Sequence, residues 1–365
     1  MASLAAFLHA YLRPGADHGV VARETTYPLG DTQIEATLYR PGRRGRLPGW
    51  VVLHGLTYSG RKHPSLVRFV TSVAAAGNVV LVPDIPEWRQ LRVAPAVTLE
   101  TIRSAVRELH ERDDVDPDRV GLFGFSFGAT QALIAAADPS IQSLLHGIAA
   151  WGGYCDIDRM FVFGMTGDHE LDGREYRLQP DPYGAWVMAG NYLTQIPGHE
   201  TEAAVAAALH ELALEAGRLG AYAWEPIYDP VKARLRATLS GGERELFDVV
   251  APRTDAPAGD IAYRRSLGRA LADTVRKVDP GLDPLPFLDD VGVDVLLAHG
   301  RDDRLIPYTE TLRLARKLPP DRVTGPVITA LFAHSGGANL SLGPLHVARE
   351  GLRFAGVLRS ILRLI

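Results

Sequence analysis

A chain of 365 residues is longer than a minimal single domain and long enough to bury a large core with an accessory element beside it. Its 46% hydrophobic and 22% charged residues describe an ordinary globular protein, and a formal net charge of −4 gives no electrostatic footprint for nucleic acid or an anionic membrane. One cysteine, Cys155, excludes an internal disulfide framework and predicts a reducing, cytoplasmic compartment.

The first fifteen residues are apolar but lack the basic start and cleavage site of a secretory signal, so residues 3–12 read as a short helix ended by Pro14 and Gly15. No run approaches the apolar length of a transmembrane helix. Residues 20–28 and 33–39 are β-rich on either side of Gly30-Asp31 and predict an antiparallel pair. The basic run Arg43-Arg44-Gly45-Arg46 reads as a solvated loop. A buried strand at 50–53 then ends in His54-Gly55, followed by a helix near 64–76, a strand at 79–82 and a helix at 99–112. The acidic run 113–118 lacks the glycine and terminal glutamate of a calcium loop and reads as a solvated turn. A strand leads from it to Ser126, a helix follows, and 147–151 is the next strand.

From 153 to 287 the alternation stops and helical periodicity replaces it, with helices over 201–218, 229–239, 243–250 and 261–278. Strands return at 293–299 and 327–332, each followed by a helix, at 309–317 and 345–365. The pattern predicts an α/β fold: a mostly parallel sheet with helices on both faces and a helical cap inserted between two strands. Residues 1–152 and 288–365 form the core domain in this reading, and 153–287 the cap, or lid.

The chemistry concentrates where an apolar strand runs through Gly124-x-Ser126-x-Gly128 into an Ala-rich helix. A serine at a sharp strand-to-helix turn has a strained backbone and needs small neighbours, which Gly124, Gly128 and Ala129 provide. Ser126 is therefore the candidate nucleophile. Phe127 opens the helix, so its N–H has no intrahelical partner and can face a developing oxyanion. In a chain with 36 glycines the bare pattern is also an ordinary turn.

Two further segments raise its weight. His54-Gly55 closes an upstream strand, and Gly300-x-x-Asp303-x-x-Ile306-Pro307 lies downstream, followed by His334 in Ala-His-Ser-Gly-Gly. With these in the order Ser, Asp, His, the sequence resembles the α/β-hydrolase superfamily over roughly residues 20–152 and 288–365. The resemblance implies an α/β-hydrolase fold and a triad of Ser126, Asp303 and His334, with His334 as the base. Asp302, beside Asp303, is off the spacing and reads as exposed or capping. A minority of relatives take the acid from the strand before the cap, which makes Asp156 the alternative acid. Gly55 lets the loop turn and aim the Leu56 N–H at the oxyanion. Tyr58, Trp88 and Tyr154, near strand C-terminal ends, are candidate pocket walls and equally packing residues.

His299 reads as a packed, hydrogen-bonded residue, and Cys155 as a small buried one. The adjacent Asp168, His169 and Glu170 form a poor ligand set, because neighbours in sequence seldom converge on one ion. No metal or cofactor is expected. The resemblance implies a serine hydrolase acting on a carboxylic ester through an acyl-enzyme, and a cap of helices with one apolar face each, roofing the site, predicts a small or medium, largely apolar substrate. Amide, peptide or thioester hydrolysis and acyl transfer use the same triad. A silent binding protein of this fold is the remaining alternative, and it normally shows a broken triad.

Overall fold

The computed structural model describes residues 3–256, 259–330 and 344–365. Eight strands form one sheet: β1 (Val20–Leu29), β2 (Thr32–Pro41), β3 (Leu47–Leu53), β4 (Val79–Pro83), β5 (Val115–Phe125), β6 (Gly147–Trp151), β9 (Asp294–Gly300) and β10 (Val323–Thr329). A separate hairpin joins β7 (Asp168–Leu171) to β8 (Arg174–Arg177). The sheet order is β1-β2-β4-β3-β5-β6-β9-β10, and β2 alone runs against the others. The antiparallel start follows from Gly30, whose φ of 57° suits a tight turn.

Side chains alternate between two cores, as the period of a strand demands. Val51, Leu53, Leu122 and Leu297 face one side, where the helices Pro95–Glu111 and Phe127–Ala136 pack. Trp50, Val52, Phe123 and Leu296 face the other, against Leu4–Leu12, Pro64–Ala75 and the C-terminal helix Pro344–Leu364. Helices of the segment between β6 and β9 extend the first core. Trp186, Leu209, Phe247 and Leu271 join its apolar cluster, so their inward faces are buried against the sheet's helices and one another.

Three expectations need correction. The segment after β6 is not wholly helical, because β7 and β8 flank Asp172-Gly173 with φ of 56° and 74°, a two-residue hairpin turn. The acidic run is only partly a turn. Val115 already pairs with Leu47, and Asp114 is held by Arg40 and Arg112. The last strand begins at Val323 and crosses Gly325-Pro326 with a register shift, which an edge strand tolerates. Among the described residues no helix is long and apolar enough to cross a membrane.

Candidate active site

Ser126 sits between β5 and the helix Phe127–Ala136 with φ 57° and ψ −128°, a conformation that costs a residue with a Cβ roughly 1–3 kcal/mol. Close packing enforces it. A Cβ on Gly124 would lie 2.1 Å from the Gly128 carbonyl oxygen, so strand and helix meet backbone to backbone. The Ser126 N–H donates to the Trp151 carbonyl at 2.8 Å, tying the turn to the end of β6. Ser126 itself keeps 8% of its surface exposed. Phe127 is the first helical residue, where an N–H lacks an intrahelical acceptor.

The loop after β3 reaches this turn. A Cβ on Gly55 would stand 3.3 Å from Ser126 Cβ and 3.7 Å from its Oγ, so only glycine fits without pressing on the serine. The buried His54 ring contacts the Gly55 carbonyl through Nδ1 at 2.7 Å. Burial pushes the His54 pKa down to about 4, with Arg89 and Arg61 adding and the Gly55 contact and Asp84 opposing. The neutral ring must therefore carry its proton on Nδ1 and donate to that carbonyl, while Nε2 has no hydrogen-bond partner among the described residues. In a planar trans peptide C=O and N–H point apart, so this bond turns the Leu56 N–H away from His54. The Leu56 carbonyl in turn accepts from the Tyr183 hydroxyl at 3.2 Å.

On the far side of β6, Asp303 is 1% exposed, and its Oδ1 accepts the N–H groups of Leu305 at 2.9 Å and Ile306 at 3.0 Å. Oδ2 lies 3.5 Å from His299 Nε2. His299 is fully buried between the Ile306 carbonyl and the Thr311 hydroxyl, at 2.9 and 2.6 Å, which makes it a brace for the Asp303 loop. Asp302 is exposed. A buried carboxylate held by two backbone N–H groups has a fixed orientation, as a partner for a catalytic base requires. His334 lies outside the described residues.

The remaining sequence candidates take other places. Asp156 caps the helix Ile157–Thr166, accepting from Asp158 N–H at 2.9 Å, and pairs with Arg276 at 3.4 Å. Trp88 and Tyr154 are packing residues, not exposed walls. The Trp88 indole donates to Thr98 Oγ1 at 2.9 Å and lies edge-on to His54 and Phe127, and the Tyr154 hydroxyl donates to the Leu282 carbonyl at 2.7 Å. Tyr58 is 40% exposed, with the Arg218 guanidinium over its ring. Cys155 is buried and its thiol pKa is pushed up by burial.

Sequence reading missed Glu310. This carboxyl, 1% exposed in the first turn of the helix Tyr308–Lys317, accepts from the N–H groups of Cys155 and Asp156, each at 3.0 Å. Burial pushes its pKa up to about 7, with Asp156 adding and the two N–H groups and Arg313 opposing. An acidic residue three places after Pro307 at a helix start was the available signal.

A cleft of about 670 Å³ opens near Glu310, lined by Asp156, Asp158, Arg159, Asp168 and Arg265 among others, and not by Ser126, Gly55 or Asp303. Its charges neutralise one another, as in Arg265–Asp168 at 2.6 Å and Arg159–Glu170 at 3.0 Å. That makes it a solvated ion-pair cleft. Strand alternation separates Asp168 and Glu170 from His169, which stacks on Tyr176. Among the described residues no group of three or more His, Cys, Asp or Glu could hold a metal ion.

Over 131 residues the chain is 32% identical to the probable 2-oxo-3-(5-oxofuran-2-ylidene)propanoate lactonase of a Bradyrhizobium species, covering 31% of this chain and 50% of that protein. Over 121 residues it is 29% identical to the Quorum-quenching protein AidA of Acinetobacter baumannii strain MDR-ZJ06, covering 32% of this chain and 39% of that protein. The matches thus span half or less of these curated relatives. The acylaminoacyl peptidase of Pyrococcus horikoshii superposes with a TM-score of 0.50 at 14% identity, covering 93% of this chain and 42% of that one, a likeness of fold alone. No protein-family model matches. Given the eight-stranded, mostly parallel sheet with helices on both faces and this likeness of fold, the chain has the α/β-hydrolase fold.

Proposed function

We propose that the protein is a serine hydrolase that cleaves a carboxylic ester, small or medium and largely apolar, through an acyl-enzyme on Ser126. The observation that carries this reading is the backbone of Ser126, held at φ 57° at a helix start with Gly55 pressed against its side chain. Strain of this kind persists only where the surroundings enforce it, and here it lifts a hydroxyl to the C-terminal edge of the sheet.

In this mechanism His334 takes the Ser126 proton as Oγ attacks the ester carbon, and Asp303 orients and stabilises the imidazolium that forms. The N–H groups of Phe127 and Leu56 receive the oxyanion. His334 then gives its proton to the departing alcohol, and water, activated by the same histidine, releases the acid. The segment 153–287 is read as a cap that roofs Ser126, excludes water and limits substrate size. The single buried cysteine accords with a cytoplasmic setting.

Because the Bradyrhizobium relative is named a lactonase, an ester, open or cyclic, is preferred to an amide or thioester as the substrate. Turnover of p-nitrophenyl acyl esters and simple lactones, with labelling by a fluorophosphonate, tests the assignment. Ser126→Ala should lose both while keeping the parent circular dichroism spectrum. Retained turnover in that variant defeats the nucleophile, and faster cleavage of amides, thioesters or polymeric substrates defeats the substrate class.

A further inference from the structure

One turn of the inserted segment touches both loops of the site. The Asp181 N–H donates to the carbonyl of Arg304, the residue after Asp303, at 2.7 Å. Two residues on, the Tyr183 hydroxyl donates to the Leu56 carbonyl at 3.2 Å. Asp181 Oδ1 accepts the Tyr183 N–H at 3.0 Å and so sets the direction in which the helix Tyr183–Tyr192 begins. Gly184 completes the contact, since a Cβ there would lie 3.1 Å from Leu305 Cδ1. Nearby, a Cβ on Gly217 would lie 2.8 Å from Tyr58 Cβ, so a second helix of the insert, Ala203–Leu219, presses on the same loop.

Peptide planarity gives these bonds a consequence. His54 holds the carbonyl of the Gly55–Leu56 peptide, and Tyr183 holds the carbonyl of the next one, Leu56–Thr57. With two successive planes fixed, Leu56 has little freedom left in φ and ψ, and its N–H keeps one direction. An oxyanion donor is effective to the extent that it is already aimed before charge develops. We propose that Tyr183 is a positioning residue for the reaction, through which the insert sets the aim of the Leu56 N–H beside Ser126. The proposal rests on the serine-hydrolase reading. It makes the insert part of how the oxyanion site is formed as well as a roof over it. Burial raises the Tyr183 pKa, so the hydroxyl stays protonated and able to donate across the working range.

The test is steady-state kinetics on a p-nitrophenyl acyl ester, together with the rate of fluorophosphonate labelling. Tyr183→Phe removes only the donor, and kcat and the labelling rate should both fall roughly 10-fold while KM stays within about 2-fold, the pattern of a lost transition-state contact. Tyr192→Phe, which removes a hydroxyl bonded to Asp279 on the same helix, should leave kcat unchanged. Parent-like kcat in Tyr183→Phe, or equal losses in both variants, overturns the proposal. If Tyr183→Phe does not fold, Asp181→Ala loosens the same turn and should show the same kcat-specific loss. Full kcat in that variant, or failure of both to fold, assigns the turn to stability alone. Turnover surviving in Ser126→Ala defeats the hydrolase reading instead, and a dead Ser126→Ala beside a fully active Tyr183→Phe defeats this proposal only.

Discussion

Gly128 and His54 meet without side chains between them: a Cβ added to Gly128 would lie 2.5 Å from the His54 carbonyl oxygen. The first turn of the serine's helix is thereby locked to the end of β3, main chain against main chain.

Gly128→Ala should therefore destabilise the fold by about 3 kcal/mol or more, since the obstacle is backbone and cannot swing aside. Gly164→Ala, in the helix Ile157–Thr166 with nothing within 4 Å of its added methyl, should be neutral or stabilise by up to about 1 kcal/mol. Urea unfolding followed by circular dichroism compares the pair. Similar midpoints would show that the contact at Gly128 is not tight.

Ser126→Gly should separate stability from function. Glycine adopts φ 57°, ψ −128° without the Cβ penalty, so the variant should gain about 1 kcal/mol and melt higher than the parent while losing all ester turnover. A lower Tm would mean that the serine backbone is not strained.

Glu310 gives the stability curve a downward slope between about pH 4.5 and 7. Its carboxyl titrates at about 7 in the fold against an ordinary 4.5. Stability from its neutral form is complete below 4.5 and is lost as pH rises through 7, because the unfolded chain releases the proton first. The full difference is about 3 kcal/mol. Glu310→Gln keeps an oxygen for the Cys155 and Asp156 N–H groups and no longer titrates. It should be more stable than the parent at pH 8.5 and lose that advantage at pH 4.5. Equal urea midpoints at both pH values would show that the carboxyl is not desolvated.

His54 acts in the opposite direction. With a folded pKa near 4 against 6.5, its contribution is complete above 6.5 and is lost as pH falls towards 4, again by about 3 kcal/mol. The ring is neutral at neutral pH, so in the proposed mechanism a rise of kcat/KM through an apparent pKa near 7 is expected from His334 as base. His54→Asn should leave that rise in place and soften the acid-side loss of stability. A pH–rate rise that moved with the His54 substitution would reassign the base.

What the sequence made legible was local. Ser126, Gly124 and Gly128 are read from one strand-turn-helix segment, and the Gly-x-x-Asp-x-x-Ile-Pro spacing separates the buried Asp303 from the exposed Asp302. What stayed hidden depended on distant partners. Tyr183 meets Leu56 across 127 positions, and Glu310 meets Cys155 across 155. Aromatic residues at strand ends can face a pocket or the core, and nothing in the sequence near Trp88 or Tyr154 decides which. The hairpin at Asp172-Gly173 carries its own turn signal, but its two strands are only four residues each, too short for a clear period-2 pattern.

Because β6 and β9 are hydrogen-bonded neighbours running the same way, residues 152–293 amount to a single crossover from the top edge of the sheet to the bottom. The insertion can therefore be exchanged but not simply cut out. A graft that joins residue 160 to residue 280 keeps the segment through Leu285–Asp290 as the return path, whereas one that joins Trp151 directly to Asp294 must bridge a five-residue strand, about 17 Å, and would tear the sheet. Nature and the engineer face the same socket: a new segment can be fitted at this point so long as its last dozen residues lead the chain back under β6.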